Sequence, residues 1–217
     1  ASGKRPYIIK KLLAKHNVGI VCDAGTPLIS DPGYKLVQEC YIHNIKVTHA
    51  PGPSSVINGL ILSGLPTNQF YFGGFVSSKK NLKKKQFLMI KSNNMTGVWF
   101  DTCIRLKNTL EIMLQILGNR KITIARELTK IYEEIISSDL NSINQIIEKR
   151  EKNNNSLKGE VVLIIEGIKK NAQIDFEELS FDIKDKLKSL SLRDTVNKIV
   201  TETKLPRKMV YNEAMKV

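Results

Sequence analysis

The chain has 217 residues, enough for one large or two small domains with proper cores. With 41% apolar residues and no apolar stretch of bilayer length, composition excludes a disordered chain and a membrane-spanning one. Lys and Arg number 34 against 21 Asp and Glu, and the net charge of +13 favours a polyanionic partner. The excess of Lys over Arg, with abundant Asn and Ile, is also what an AT-rich genome produces without a functional cause. No signal-peptide pattern opens the chain, so a cytoplasmic location is expected. The start, Ala1-Ser2-Gly3-Lys4 without Met, reads as processed, tagged or truncated. Cys22, Cys40 and Cys103 are widely spaced, and His16, His43 and His49 lack ligand spacing, so neither a metal nor a disulfide framework is expected.

In chain order, Pro6 to His16 carries Ile8, Ile9, Leu12 and Leu13 at helical spacing. Val18 to Cys22 reads as a short buried strand. It ends in Asp23-Ala24-Gly25-Thr26-Pro27-Leu28-Ile29-Ser30-Asp31-Pro32-Gly33. Two prolines fix φ and two glycines allow close backbone approach, so the loop is stiff, at the strand end where open α/β sheets bind ligands. A helix over 34–43 and a strand over 46–50 follow. Pro51-Gly52-Pro53-Ser54-Ser55 is a second stiff turn, whose serines suit capping of a helix running to Ser63. Two strand–loop–helix units in succession predict a parallel α/β sheet.

Gly64 to Asn68 breaks this pattern and sets a boundary. The predicted organisation is an α/β domain over 1–68, a second α/β domain over 69–170 and a helical extension over 171–217. Phe70 to Val76 reads as an extended linker. The lysine-rich run 79–85 leads into a helix ending near Lys91. A strand at 97–100, a helix over 106–117 closed by Gly118, a strand at 122–125, a helix over 143–149 and a central strand at 161–165 complete the second block. In the extension, Ser191-Leu192-Arg193-Asp194 opens a helix to about Thr203, and Pro206 starts a last one, giving a helical hairpin.

Six motifs recur in a known order: the 23–33 loop, the 51–55 turn, Gly64-Leu65-Pro66, Gly74-Phe75, Ala125-Arg126-Glu127-Leu128-Thr129-Lys130 and Lys158-Gly159-Glu160. The set resembles the ribosomal RNA small subunit methyltransferase I family, within the tetrapyrrole methylase superfamily, over nearly the whole chain. The resemblance implies two α/β domains of the class III methyltransferase type with S-adenosylmethionine in the cleft between them, usually as a homodimer. It implies methyl transfer to the ribose 2′-hydroxyl of a decoding-centre cytidine in 16S rRNA of the small ribosomal subunit. No Gly-x-Gly-x-x-Gly fingerprint is present. The family's first strand, with its Pro-x-Gly-Asn-type loop and a following acidic motif, is absent. The family's Tyr-Glu-Ser-x-His-Arg reads here Phe100-Asp101-Thr102-Cys103-Ile104-Arg105, with Ile in place of His.

By the same resemblance, Asp23, Ala24, Gly25, Thr26 and Pro27 cradle the cofactor, against the alternative of a structural turn. Pro51, Gly52, Ser54 and Ser55 approach it from the next strand end, with simple helix capping as the alternative. Ala125 and Arg126 lie at the cleft rim with Glu127 orienting the arginine, or Arg126 and Glu127 form an internal ion pair. Gly159 lets the backbone approach the ligand. Glu127 and Asp101 are the candidate general bases. Lys79, Lys80, Lys83, Lys84, Lys85, Arg105, Lys204, Arg207 and Lys208 are candidate RNA contacts, against the alternative of a solvated basic surface. Two other functions stay open: a non-catalytic RNA-binding remnant, and a relative methylating a small tetrapyrrole.

Overall fold

A computed structural model describes residues 2–168, 176–203 and 205–216. The chain divides into two compact units, Ala1–Lys169 and Lys170–Val217. Within the first, a 3-10 turn at Ser2–Lys4 leads into α1 (Arg5–Leu13), followed by α2 (Tyr34–Ile42) and α3 (Ser55–Leu62). Then come β1 (Phe70–Phe75), α4 (Lys80–Leu88), β2 (Thr96–Thr102), α5 (Cys103–Leu117), β3 (Lys121–Arg126), β4 (Glu134–Asp139), α6 (Leu140–Lys152) and β5 (Glu160–Ile165).

The strands form one sheet in the order β1-β2-β5-β3-β4, with β5 in the middle as its unbroken apolar run demands. Only β1 and β2 run parallel; the β2–β5, β5–β3 and β3–β4 pairs are antiparallel. Alternation along each strand divides the core in two. Trp99, Ile122, Ile124, Leu163 and Ile165 face α4, α5 and α6, together with Leu106, Leu110, Met113 and Ile143. Val98, Ala125, Val162 and Ile164 face α3 through Val56 and Leu60. Because α3 packs on this sheet, residues from both sides of position 68 belong to one unit.

Four expectations about local structure are corrected. Residues 18–22 and 46–50 are extended but form no strand, and Val21 is 90% exposed. An apolar run becomes a strand only when a neighbour takes its N–H and C=O groups, and none of the described residues does so here. The parallel sheet expected over the first segment therefore does not form; α1 and α2 pack on each other through Ile9, Leu36 and Cys40. The expected linker at 70–76 is instead strand β1, with a register shift between Phe72 and Phe75 at the Gly73-Gly74 pair. Strand β4 was not foreseen: Glu-Ile-Ile-Ser-Ser-Asp is the mixed sequence of an edge.

Local devices fix the ends. Asp139 caps α6, accepting from the Ser142 amide at 3.1 Å and its hydroxyl at 2.8 Å, which pulls the carboxyl from 3.8 to about 2. Arg120 clasps the chain ends after α4 and α5, donating to the carbonyls of Leu117, Ile90 and Lys91. Arg120→Ala is expected to cost ~1–3 kcal/mol by orphaning these carbonyls, read as a lowered urea midpoint with an unchanged slope.

The second unit contains α7 (Phe176–Leu187), α8 (Leu192–Thr203) and α9 (Arg207–Ala214), so the expected hairpin is a three-helix cluster. Leu179, Ile183, Val196, Ile199, Val210 and Ala214 form its core. Ser191 and Asp194 make the foreseen cap, with the Asp194 amide donating to Ser191 Oγ at 3.2 Å. Pro206 is the N-cap residue of α9, one place before its first helical position.

Candidate functional site

The C-terminal ends of β2 and β3 and the start of β5 meet at one edge of the sheet, because antiparallel pairing places Arg126 beside Val161 and Thr102 beside Glu160. The 20–32 segment and the start of α3 face this edge across an open cleft of about 970 Å³. One wall is Ile20 to Pro27 with Ile29 to Pro32, and Pro53 to Val56 with Asn58; the other is Phe100, Asp101, Ala125, Glu127 to Lys130 and Glu160 to Val162. Thr26 Oγ1 donates to the Pro53 carbonyl at 2.8 Å, tying the two proline-rich turns into one surface.

Of the expected cofactor contacts, Asp23, Ala24, Gly25, Thr26, Pro27, Ser54, Ser55 and Ala125 line this cleft. Pro51, Gly52, Arg126 and Gly159 do not line it. Ser54 is the N-cap residue of α3 by its backbone, but its side chain makes no cap bond, and the residue lines the cleft. Arg126 turns away from the opening: Nε donates to the Lys158 carbonyl at 2.7 Å, and Nη1 lies 3.5 Å from Glu134. Glu134 also pairs with Arg150, whose hydrogen bond is the main reason its carboxyl lies below the usual range. The expected orientation of Arg126 by Glu127 is thus replaced by Glu134.

Glu127 is held instead by its neighbours across the sheet. Its Oε1 accepts the Glu160 amide at 2.8 Å and the Lys130 ammonium at 3.1 Å. The Glu160 amide, then Lys130, keeps this carboxyl below its ordinary range. Lys130 also reaches Glu160 Oε2 at 3.3 Å. Lys130 and Glu160 also line the cleft; they end the two motifs quoted from this edge, but nothing in the sequence alone marks them as site residues.

Asp101 is corrected as a candidate base. Its side chain has no exposure, and it accepts from the Thr102 amide at 2.8 Å and the Thr109 hydroxyl at 2.6 Å while pairing with Arg105 at 2.6 Å. A carboxylate so enclosed and so fully bonded has no open face for a substrate proton.

Lys83 is corrected as an RNA contact. It is 2% exposed, and its ammonium donates inward to Asn108 and Thr109. Lys79, Lys80 and Lys85 are exposed and Lys84 is half-buried. Arg207 is exposed, with Nη1 on Asn197 Oδ1 at 2.7 Å, and Lys208 is exposed. Lys204 lies outside the described residues. Among the described residues no His, Cys, Asp or Glu cluster of metal-binding size assembles, and no helix is long and apolar enough to cross a membrane.

The charge of the cleft opposes that of the chain. Asp23, Asp31, Asp101, Glu127 and Glu160 line it, against the single ammonium of Lys130. With Asp101 compensated by Arg105, an anionic excess remains inside a protein of net charge +13. Such a cleft favours a small cation over a phosphate.

Residues 4–144 match the model of the tetrapyrrole (corrin/porphyrin) methylases. The chain is 44% identical over 178 residues to ribosomal RNA small subunit methyltransferase I of Rickettsia prowazekii (strain Madrid E), covering 82% of this chain and 61% of that protein. It is 37% identical over 218 residues to the enzyme of that name from Buchnera aphidicola subsp. Baizongia pistaciae, covering 98% of this chain and 72% of the relative. Among solved structures, the methyltransferase CobJ superposes with a TM-score of 0.54 at 14% identity, covering 76% of this chain and 70% of that one, which establishes the α/β methylase fold. The order of motifs, the mixed sheet with its cleft at one edge and these matches lead to one assignment: the chain belongs to the ribosomal RNA small subunit methyltransferase I family, within the tetrapyrrole methylases.

Proposed function

We propose that the cleft binds S-adenosylmethionine and that the protein transfers its methyl group to the ribose 2′-hydroxyl of a decoding-centre cytidine in 16S rRNA of the small subunit. The observation that carries this reading is the acidic cleft in a basic chain. S-adenosylmethionine brings a sulfonium and an ammonium, which carboxylates at Asp23, Asp31, Glu127 and Glu160 stabilise, whereas a phosphate ligand would be repelled. The net charge of +13 favours association of the protein with RNA.

In this reading the 23–27 loop and Ser54 and Ser55 hold the cofactor, with Ala125 beneath it. Pro51 and Gly52 shape the turn that carries the serines, and Gly159 makes room for Glu127. The reaction is an in-line displacement: the 2′-oxygen bonds to the methyl carbon, the carbon–sulfur bond breaks, and its electron pair stays on sulfur, leaving a neutral sulfide. The enzyme's task is to align the two atoms and give the hydroxyl proton somewhere to go. Glu127 is the proposed acceptor, ionised and facing the cleft. Lys79, Lys80, Lys84, Lys85, Lys204, Arg207 and Lys208 make backbone contacts with RNA. The protein works as a homodimer in the cytoplasm, where ribosomal subunits are made.

Titrating the full-length protein with S-adenosylmethionine in a calorimeter tests the first half. Saturable heat is expected, and none at millimolar cofactor overturns the reading. Mapping 2′-O-methylation on unmodified 30S subunits tests the second half. A protein that binds cofactor but leaves the decoding-centre cytidine unmethylated has another acceptor.

A further inference from the structure

One buried set of charges has no place in the scheme above. Lys83 on α4 is 2% exposed, within a lysine run whose other members reach the surface or lie half-buried. Its Nζ donates to Asn108 Oδ1 at 2.9 Å and to Thr109 Oγ1 at 3.1 Å. Thr109 in turn donates to Asp101 Oδ2 at 2.6 Å, and Asp101 Oδ1 holds Arg105 at 2.6 Å. A continuous chain of polar contacts thus runs from α4, through α5, to the end of β2. It passes under the floor of the cleft, which Asp101 touches.

Burying an ammonium carries a heavy desolvation cost, and burial is the main influence lowering the pKa of Lys83, opposed by Asp101. Packing α4 against α5 does not require this; a methionine of similar length would fill the space. The cation does two things a methionine cannot. It sits on the lone-pair side of the Thr109 hydroxyl, so the hydroxyl proton must point at Asp101. It also adds a second positive charge beside Asp101, so the set has two cations against one carboxylate. The surplus reaches the surface only at Arg105, whose side chain is 31% exposed while Asp101 has no exposure.

An exposed arginine ordinarily pays side-chain entropy to hold one geometry. Arg105 is already fixed by a carboxylate that cannot move, and its guanidinium keeps N–H donors free of that pair. Beside it on the first turn of α5, Ile104 is 94% exposed. A planar, rigid cation is matched by a phosphodiester, which accepts from two N–H groups at once.

We infer that Arg105 is a phosphate anchor for the RNA acceptor strand, and that Lys83, Thr109 and Asp101 are positioning residues that hold it rigid from beneath. The inference rests on the RNA reading of this protein, and it gives the buried Lys83 a role that no surface contact could.

The test is binding of the full-length protein to a transcript of the decoding-centre segment of 16S rRNA across a salt series, by fluorescence anisotropy. Each phosphate contact contributes roughly 0.7 to 0.9 to the slope of log K against log salt. Arg105→Ala is expected to lower the slope by about one such contact. Lys83→Met and Thr109→Val, neither of which can touch RNA, are expected to lower it in the same direction, and Thr109→Ser to restore it. Heat from S-adenosylmethionine should be unchanged in all four. An Arg105→Ala protein with the wild-type slope overturns the anchor. Folded Lys83→Met and Thr109→Val proteins with the wild-type slope, while Arg105→Ala loses it, overturn the positioning role; if Lys83→Met does not fold, Thr109→Val decides. Wild-type protein without salt-dependent binding overturns the RNA reading and this inference with it.

Discussion

Valine in place of Gly73 is expected to destabilise the first unit by more than ~3 kcal/mol, as overpacking of a full core does. The reason is Trp99. The indole is fully buried, and it lies across the backbone of two adjacent strands at Gly73 on β1 and Gly97 on β2. A Cβ on Gly73 would collide with the indole at its Nε1 edge, 2.6 Å from Cδ1, and one on Gly97 would meet the opposite edge of the ring, 2.5 Å from Cη2. The ring cannot retreat. Phe87 closes it at 5.6 Å and Tyr71 at 5.9 Å, both edge-on. Trp99 is the only tryptophan, so its emission reports this site directly during urea unfolding. Gly19→Ala, where an added Cβ meets nothing within 4 Å, should change stability by less than ~0.5 kcal/mol. A Gly73→Val protein with the wild-type midpoint would show that the indole does not cover β1.

The same glycines explain why β1 was hard to read. In Phe-Tyr-Phe-Gly-Gly-Phe, alternation fails where side chains are missing, and the sequence looks like a linker. The missing side chains are what let a large ring lie on the strand, a contact visible only once β1 and β2 are paired. The opposite holds at 18–22 and 46–50. Their apolar runs satisfy the strand pattern, but pattern reports burial preference and not the presence of a hydrogen-bonding neighbour. Helices with a single periodic face, such as α5 and α8, were legible because 3.6-residue spacing is a local property.

At the site, the glycine–proline turns declared the cleft because stiffness and small size are properties of the residues themselves. The fate of the charges was not so legible. Asp101 and Glu127 look alike in sequence, yet one is sealed under α5 and the other faces the opening. Lys83 differs from Lys84 only by its angle around α4, and that angle decides between a buried ammonium and a half-exposed one. Edge residues such as Lys130 and Glu160 meet only because antiparallel pairing of β3 and β5 brings distant positions together.

Gly159→Ala is expected to lower affinity for S-adenosylmethionine by tenfold or more while leaving the core intact. Gly159 has φ +98, a region that costs an L-residue roughly 1–2 kcal/mol. Its added Cβ would land 2.5 Å from the carboxyl carbon of Glu127. Glu127 would have to swing out, releasing both the Glu160 amide and Lys130, and the cleft edge would lose its arrangement. Glu127→Gln separates shape from charge, since the amide oxygen still accepts from Glu160. It should lose less affinity than Gly159→Ala and nearly all methyl transfer, because Gln takes no proton. The pH profile gives a further check. The folded carboxyl lies below its ordinary 4.5, so its contribution to stability is present above that value and fades as pH falls through the lower, folded one. Wild-type stability should therefore carry an acid-side decline below pH 4.5 that is shallower in both variants. If Gly159→Ala binds cofactor as wild type does, Glu127 is not part of the cleft wall, and the proton acceptor must be sought elsewhere on that wall, with Glu160 the next carboxylate along the edge.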